Sequence, residues 1–225
     1  MSNNHKKNIF YFVCVMLVYL FIFSFTTFSK NFSTVKKGDE LTFGRYETFG
    51  RVNEIKWIVL DIFDDKILLF SKYIIDCKPY SDIKKYLNDI CENSFNQDEL
   101  EQIVRSSNNK IVENYEEELK KGYKLDYMFI LSEEHIKKYF YNIDGSIVDD
   151  NVYGIGTNEA YDKGLNYIYR NEEDDSFASP YWLADRGYEK EFNKAVSYSG
   201  KIINDGYYWQ RNDIGVRPAL VIKMN

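Results

Sequence analysis

Histidine, cysteine and proline are all scarce in this chain of 225 residues, which has two His, three Cys and three Pro, and its positive charges are outnumbered, for a formal net charge of −6. With His5 near the amino terminus and His135 far from it, neither a histidine metal cage nor a Ser-His-acid triad can be assembled with any redundancy. Cys77 and Cys91 lack CxxC spacing and have no neighbouring histidine to generate a thiolate, which removes the usual redox and nucleophile signatures. The negative balance, with no stripe of Lys and Arg, argues against nucleic acid as a partner and against an electrostatic grip on anionic lipid. No internal repeat or low-complexity tract is present either.

Aromatic residues, by contrast, are abundant: 20 Tyr and 16 Phe in a chain that is 44% hydrophobic, enough to build a core and too much for a disordered chain. Charges are missing from one stretch only. Residues 9–28, IFYFVCVMLVYLFIFSFTTF, form an uncharged run long enough to cross a hydrocarbon core of about 30 Å as a helix. The short basic stub of residues 1–8 before it gives the arrangement of a signal anchor, so the body of the chain beyond the run is expected outside the cytoplasm. Ser24–Ser29 makes a poor cleavage site and Cys14 lacks the small residue that precedes an acylated cysteine, so an uncleaved, single-pass anchor in the bilayer is expected. Residues 29–39 read as a polar tether and residues 40–225 as one globular domain in the cell envelope. In that compartment a Cys77–Cys91 disulfide is permitted, with two separate buried thiols as the other reading.

Local patterns place the elements. Residues 41–46 and 55–62 read as strands. The apolar run 66–75 then comes after the Asp64-Asp65 turn and makes residues 54–75 an antiparallel hairpin at the centre of a sheet. Ile83, Tyr86, Leu87 and Ile90 share a helical face with Ser81 as its expected cap, and Asn96 with Glu99 forms a capping box for a second helix ending near Ser106. Residues 108–124 are charged and lack a clear apolar face. Tyr127–Leu131 reads as a buried strand, Ser132 as the cap of a helix that turns Ile136, Tyr139 and Phe140 inward, and residues 141–180 as loops holding one short helix near 158–169. Strands at 181–184, 195–200 and 215–222 close the chain, so its two ends should share a sheet and the fold class is α+β, mainly antiparallel with several helices.

Taken in order, Phe43-Gly44-Arg45-Tyr46, Ile55–Leu60, Leu68–Asp76, Tyr86-Leu87-Asn88, Phe129–Ser132, Tyr181-Trp182-Leu183 and above all Gly215-Val216-Arg217-Pro218-Ala219-Leu220 resemble one bacterial family of domains of unknown function, numbered 6273, over residues 40–223. The sequence departs from that pattern at Tyr80–Ile83, where a Trp usually stands, and at Ala184-Asp185-Arg186, where Arg usually comes directly after Trp-Leu. The resemblance implies an exported domain and a terminal strand arrangement similar to C-type-lectin-like and formylglycine-generating-enzyme-like domains. The latter's chemistry needs late copper-binding cysteines, which are missing after Cys91.

Loop aromatics make Tyr181, Trp182 and Trp209 the candidate contacts for a glycan or protein partner, because flat rings with a polar tip suit both. Trp209 with Asn212 and Asp213 is similar to the Trp-Asn-Asp run with which C-type lectins ligate calcium, which makes calcium the one cofactor worth testing. Arg217, in an otherwise apolar strand, requires buried partners and reads as a structural salt bridge. The loop carboxylates Asp149, Asp150, Glu172 and Asp185 are the only candidates for an envelope hydrolase, and a purely structural role in the envelope or spore is the third reading. A non-catalytic binding module is the reading the residues favour.

Overall fold

A computed structural model describes residues 32–48, 51–107, 110–111, 127–171 and 176–224. The apolar run 9–28, the charged stretch 108–124 (apart from residues 110–111) and Glu172 lie outside the described residues. No helix among the described residues is long and apolar enough to cross a membrane.

The chain runs β1 (Glu40–Thr48), β2 (Arg51–Phe63), β3 (Lys66–Ser71), β4 (Asp76–Cys77), α1 (Tyr80–Ser94), α2 (Gln97–Gln102), β5 (Ile103–Val104), β6 (Ser106–Ser107) and β7 (Lys110–Ile111). It continues with β8 (Met128–Ile130), α3 (Glu133–Phe140), a 3-10 turn (Asp150–Val152), α4 (Asn158–Asp162), β9 (Ile168–Asn171) and β10 (Ser176–Ala178). The last part is β11 (Tyr181–Arg186), β12 (Phe192–Val196), β13 (Ile202–Tyr208), β14 (Gly215–Val216) and β15 (Pro218–Lys223). One sheet has the order β1-β2-β3-β15-β5, with β8 also on β15, and a second has the order β13-β12-β11-β14-β4. Among the described strands, all pairings are antiparallel except β11 with β14.

The apolar runs of β2, β3 and β15 reflect burial on both faces, because a strand with one solvated face would alternate with polar residues. Trp57, Val59, Ile67, Leu69, Leu220 and Ile222 face one core, with Ile83, Leu87 and Cys91 of α1. Ile58, Leu60, Leu68, Phe70, Ala219 and Val221 face the other, with Ile136, Tyr139 and Phe140 of α3. The fold is therefore α+β with a mainly antiparallel sheet. The hairpin at 54–75 forms as expected, with Asp64 in the left-handed region at φ 51° to make its turn. The carboxy-terminal strand joins the sheet of β1 to β3 by pairing with β3. Phe32 is 5% exposed and packs edge-on against Phe43 at 6.0 Å, and Val35 also touches the core, so the packed body includes residues before the expected start at 40.

The capping box on Asn96 and Glu99 is present, and so is the Ser132 cap. Other local expectations are overturned. The second helix stops at Gln102 because Ile103 and Val104 leave it to pair with β15. Ser81 lies inside α1, which starts at Tyr80 behind Pro79 without a side-chain cap. The short helix expected near 158–169 ends at Asp162, and Ile168 begins β9. Strand β13, unforeseen, extends the second sheet.

Two short segments pass directly from one sheet to the other: residues 72–75 between β3 and β4, and Arg217 between β14 and β15. At such a crossing backbone carbonyls leave their ladder and need other donors. Arg217 supplies them. Its buried guanidinium donates to Ser71 O (2.9 Å), Lys72 O (3.1 Å), Asn151 O (2.9 Å) and Tyr153 O (3.1 Å), and lies over the rings of Phe70 (4.1 Å) and Tyr181 (5.2 Å). The expected salt bridge is replaced by carbonyls and ring faces, which satisfy a buried cation without importing a second buried charge. Replacing Arg217 with Met orphans those carbonyls and is expected to cost at least about 3 kcal/mol, since one unsatisfied buried acceptor alone costs about 1–3 kcal/mol. Arg217→Lys, with its charge but no planar fork, should recover only part of that loss. Urea unfolding monitored by circular dichroism checks the ranking.

Candidate functional site

An open cleft of about 1450 Å³ is lined by residues of both sheets and of α1 and α3. Met128, Phe129 and Ile130 of β8 form its floor with Ile83 and Leu87 of α1. At one end stand Asp61 and Phe63 of β2 with His135, Lys138 and Tyr139 of α3. Tyr80, Asp185, Arg186, Glu191 and Trp209 also line it. The tight succession of strand, capping serine and helix at residues 128–135 puts the α3 side chains next to the floor, while Tyr80 N donating to Trp209 O (2.7 Å) ties two of the lining residues together.

At the α3 end, Asp61 Oδ2 accepts from Lys138 Nζ (2.9 Å) and Tyr139 Oη (2.8 Å), and Lys138 also donates to Tyr139 Oη (2.9 Å). Burial would push the Asp61 carboxyl up, but the hydrogen bonds from Lys138 and Tyr139 outweigh it and hold the group below the ordinary carboxylate range. Lys138 is raised by its bonds to Tyr139 and Asp61. Glu133, bonded by Lys137 and Lys194, is likewise kept low. At this end the cleft thus presents a carboxylate already engaged by a lysine and a tyrosine.

His135 closes a capping box. Its Nδ1 accepts from Ser132 N (3.2 Å) and lies 2.8 Å from Ser132 Oγ, which assigns the ring proton of the neutral form to Nε2. The ring stacks on Tyr139, with an interplanar angle of 4° at 6.4 Å, and burial depresses its proton affinity. Asp185 Oδ2 accepts from Glu133 N at 2.6 Å, which ties the α3 amino terminus to β11.

The residues expected to bind a ligand part company here. Trp209 lines the cleft and Asn212 is exposed, but Tyr181 and Trp182 are core residues. Tyr181 Oη donates to Val152 O (2.8 Å), and Trp182 Nε1 donates to Lys78 O (2.9 Å) while its ring packs edge-on behind Tyr80 at 5.6 Å. Trp182 supports the cleft wall without reaching the cleft. Asp213 is held by Arg211 through both oxygens (2.9 and 2.6 Å), so its carboxylate already has a cation and the calcium arrangement does not form. Among the described residues no group of three or more His, Cys, Asp or Glu is placed to hold a metal ion.

Of the described loop carboxylates singled out by the sequence only Asp185 lines the cleft; Asp149 accepts from Asn151 N (2.8 Å) as the cap of the 3-10 turn, and Asp150 is exposed. Cys77 and Cys91 are separate buried thiols. Cys77 lies against Ala160 O and Lys163 O, and Cys91 is on the inner face of α1. Asp61, His135, Lys138 and Tyr139 were not legible as site residues, because Asp61 meets Lys138 across 77 positions. The signal that could have found them is the His inside the capped first turn after a buried strand.

The profile of a family described as a domain of unknown function, DUF6273, matches residues 64–224, from the β2–β3 turn to the end of β15. The chain belongs to DUF6273. No curated protein and no solved structure matches it. The DUF6273 segment contains every cleft wall except Asp61 and Phe63, and it contains the Arg217 crossing.

Burial holds the Cys77 thiol up at about 11 and Cys91 at about 12, so both should resist a thiol probe at pH 8 in the folded chain. Both should label in urea without reductant, as read by peptide mass, whereas a disulfide would block them in both states. His135 gives a pH signature as well. The unfolded chain takes up a proton near 6.5 and the folded chain only at lower pH, so stability is full above about 6.5 and declines as pH falls through that value. His135→Gln, which retains a capping acceptor and does not titrate, should flatten the change in urea midpoint between pH 7.5 and 5.5.

Proposed function

We propose that this DUF6273 domain is a non-catalytic binding module, held at the outer face of a membrane by residues 9–28, that takes an extended macromolecular ligand in the cleft. The observation that carries the reading is the cleft itself: about 1450 Å³, open, with an apolar floor on β8 and α1 and charges of both signs at its rim. A space of that size exceeds the several hundred Å³ of an ordinary small-molecule site and suits a chain laid along it.

What supports binding over turnover is the engagement of two of the cleft carboxylates. Asp61 is bonded by Lys138 and Tyr139, which hold it below the ordinary carboxylate range and so out of the proton-retaining setting of a general acid, and Asp185 is bonded to a helix amide. A glycan or polypeptide fits the reading, with Trp209 as the aromatic contact. A kinship with C-type-lectin-like domains rests on the terminal strand inside the sheet, and the Arg211–Asp213 pair argues against calcium-borne sugar recognition within it.

The test is binding of the detergent-solubilised chain to arrays of bacterial cell-wall polysaccharides and of extended peptides. Trp209→Ala should weaken any interaction found by about tenfold or more, the range of an aromatic anchor, with the thermal midpoint little changed. Unaltered affinity in that variant, or no interaction on either array, would overturn the assignment.

A further inference from the structure

None of Tyr161, Tyr167 and Phe177 lines the cleft, yet their three rings meet one another where solvent reaches them. We infer that this corner of rings is a second binding site, for a ligand that carries a trimethylammonium group.

Local structure explains why the rings converge. Thr157 caps α4 by accepting from Ala160 N (3.2 Å), and Tyr161 in that helix accepts from Gly156 N (2.9 Å) through its hydroxyl, which fixes the first ring. Gly164, at φ 100°, ends the helix in a conformation that side chains resist, and Leu165 N returns to Ala160 O (3.0 Å). The reversed chain brings Tyr167 back against Tyr161. Pairing of β10 with β9, Ala178 opposite Ile168, then supplies Phe177.

The geometry suits a cation. Tyr161 and Tyr167 are 5.2 Å apart at 72°, Tyr167 and Phe177 5.1 Å apart at 88°, and Tyr161 and Phe177 6.0 Å apart at 57°. Three planes inclined in this way share no common direction, so the rings stand as walls of a corner and make neither a stack nor a flat strip. Tyr167 is 46% exposed, and Tyr161 and Phe177 are half-buried. With centres at those separations, a cation about 3 Å off their plane is about 4.5 Å from each, within the roughly 6 Å over which a ring face attracts a cation.

The surroundings have the matching sign. Asp162, next to Tyr161, is exposed, and Glu159 lies on the same helix. Lys163 is already held by Asp76 (2.7 Å) and Arg211 by Asp213, whose carbonyl accepts from Asn166 N beside Tyr167 (3.0 Å). In the sequence, β9 and β10 are joined by Glu172-Glu173-Asp174-Asp175, against the one cation Arg170. Ring faces give no strong acceptor to a primary ammonium, which brings three N–H donors and a tight hydration shell. A trimethylammonium has no N–H to satisfy and turns methyl groups to the rings, so it keeps the charge attraction at a smaller desolvation cost.

The experiment titrates choline into the full chain in a maltoside detergent at constant ionic strength, and follows binding by saturation-transfer NMR of the ligand. Parallel titrations use ethanolammonium, the primary analogue, and 3,3-dimethylbutan-1-ol, the uncharged isostere. Choline is expected to bind about fivefold or more tightly than either, and Tyr167→Leu and Phe177→Leu, which keep an apolar side chain, should each weaken it about two- to fivefold. Trp209→Ala should leave choline affinity unchanged. Equal affinity for choline and either analogue in the unaltered chain would overturn the inference whatever the variants do. So would no saturation of the choline signal, choline affinity unmoved in both leucine variants with their thermal midpoints retained, or a loss on Trp209→Ala, which would put choline in the cleft.

Discussion

Arg217 stands where two sheets exchange strands, and the arrangement of everything around it depends on how its charge is satisfied. The crossing after β3 leaves carbonyls without ladder partners. A single planar guanidinium serves Ser71 and Lys72 on one crossing and Asn151 and Tyr153 on the loop beside it. Desolvating a cation costs several kcal/mol, which four charge-assisted bonds and two aromatic faces offset. Because the partners come from distant parts of the chain, the same side chain fixes β3, β15 and the 151–153 loop to one another.

That junction also sets the site. With β15 held between β3 and β8, the floor strand β8 is placed opposite α1, and the capped helix α3 leaves it at a fixed angle. The cleft exists because α1 and α3 pack on opposite faces of one sheet and the second sheet adds β11 and the Trp209 turn to its lining. Two of its carboxylates are held by neighbours: Asp61 by Lys138, Asp185 by the Glu133 amide.

Much of the architecture was readable from local signals. The 54–75 hairpin, the Asn96 and Ser132 caps and the inward face of α3 are each specified within a few residues, by alternation, turn chemistry and helical spacing. The failures share a cause. Ile103 and Val104 leave their helix for a pairing with β15 that no local window contains, and Tyr181 and Trp182 look like loop aromatics until β11 is placed inside two cores. Arg217 announced its need for partners, but their identity as carbonyls came from the sheet crossing. The candidate site was legible only at Trp209 and Asp185.

By itself the sequence determined an α+β domain behind a single apolar run, with a core rich in aromatic and branched residues and no redundancy in histidine or paired cysteine for metal or nucleophile chemistry. Tertiary structure alone decided that Cys77 and Cys91 stand apart, that Asp213 belongs to Arg211, that Phe32 is core, and that Asp61, His135 and Tyr139 share a cleft with Trp209. The physical reason is one of range: hydrophobic period and capping act over one or two helical turns, whereas a charge finds its partner wherever the packed sheets happen to bring one within about 3 Å.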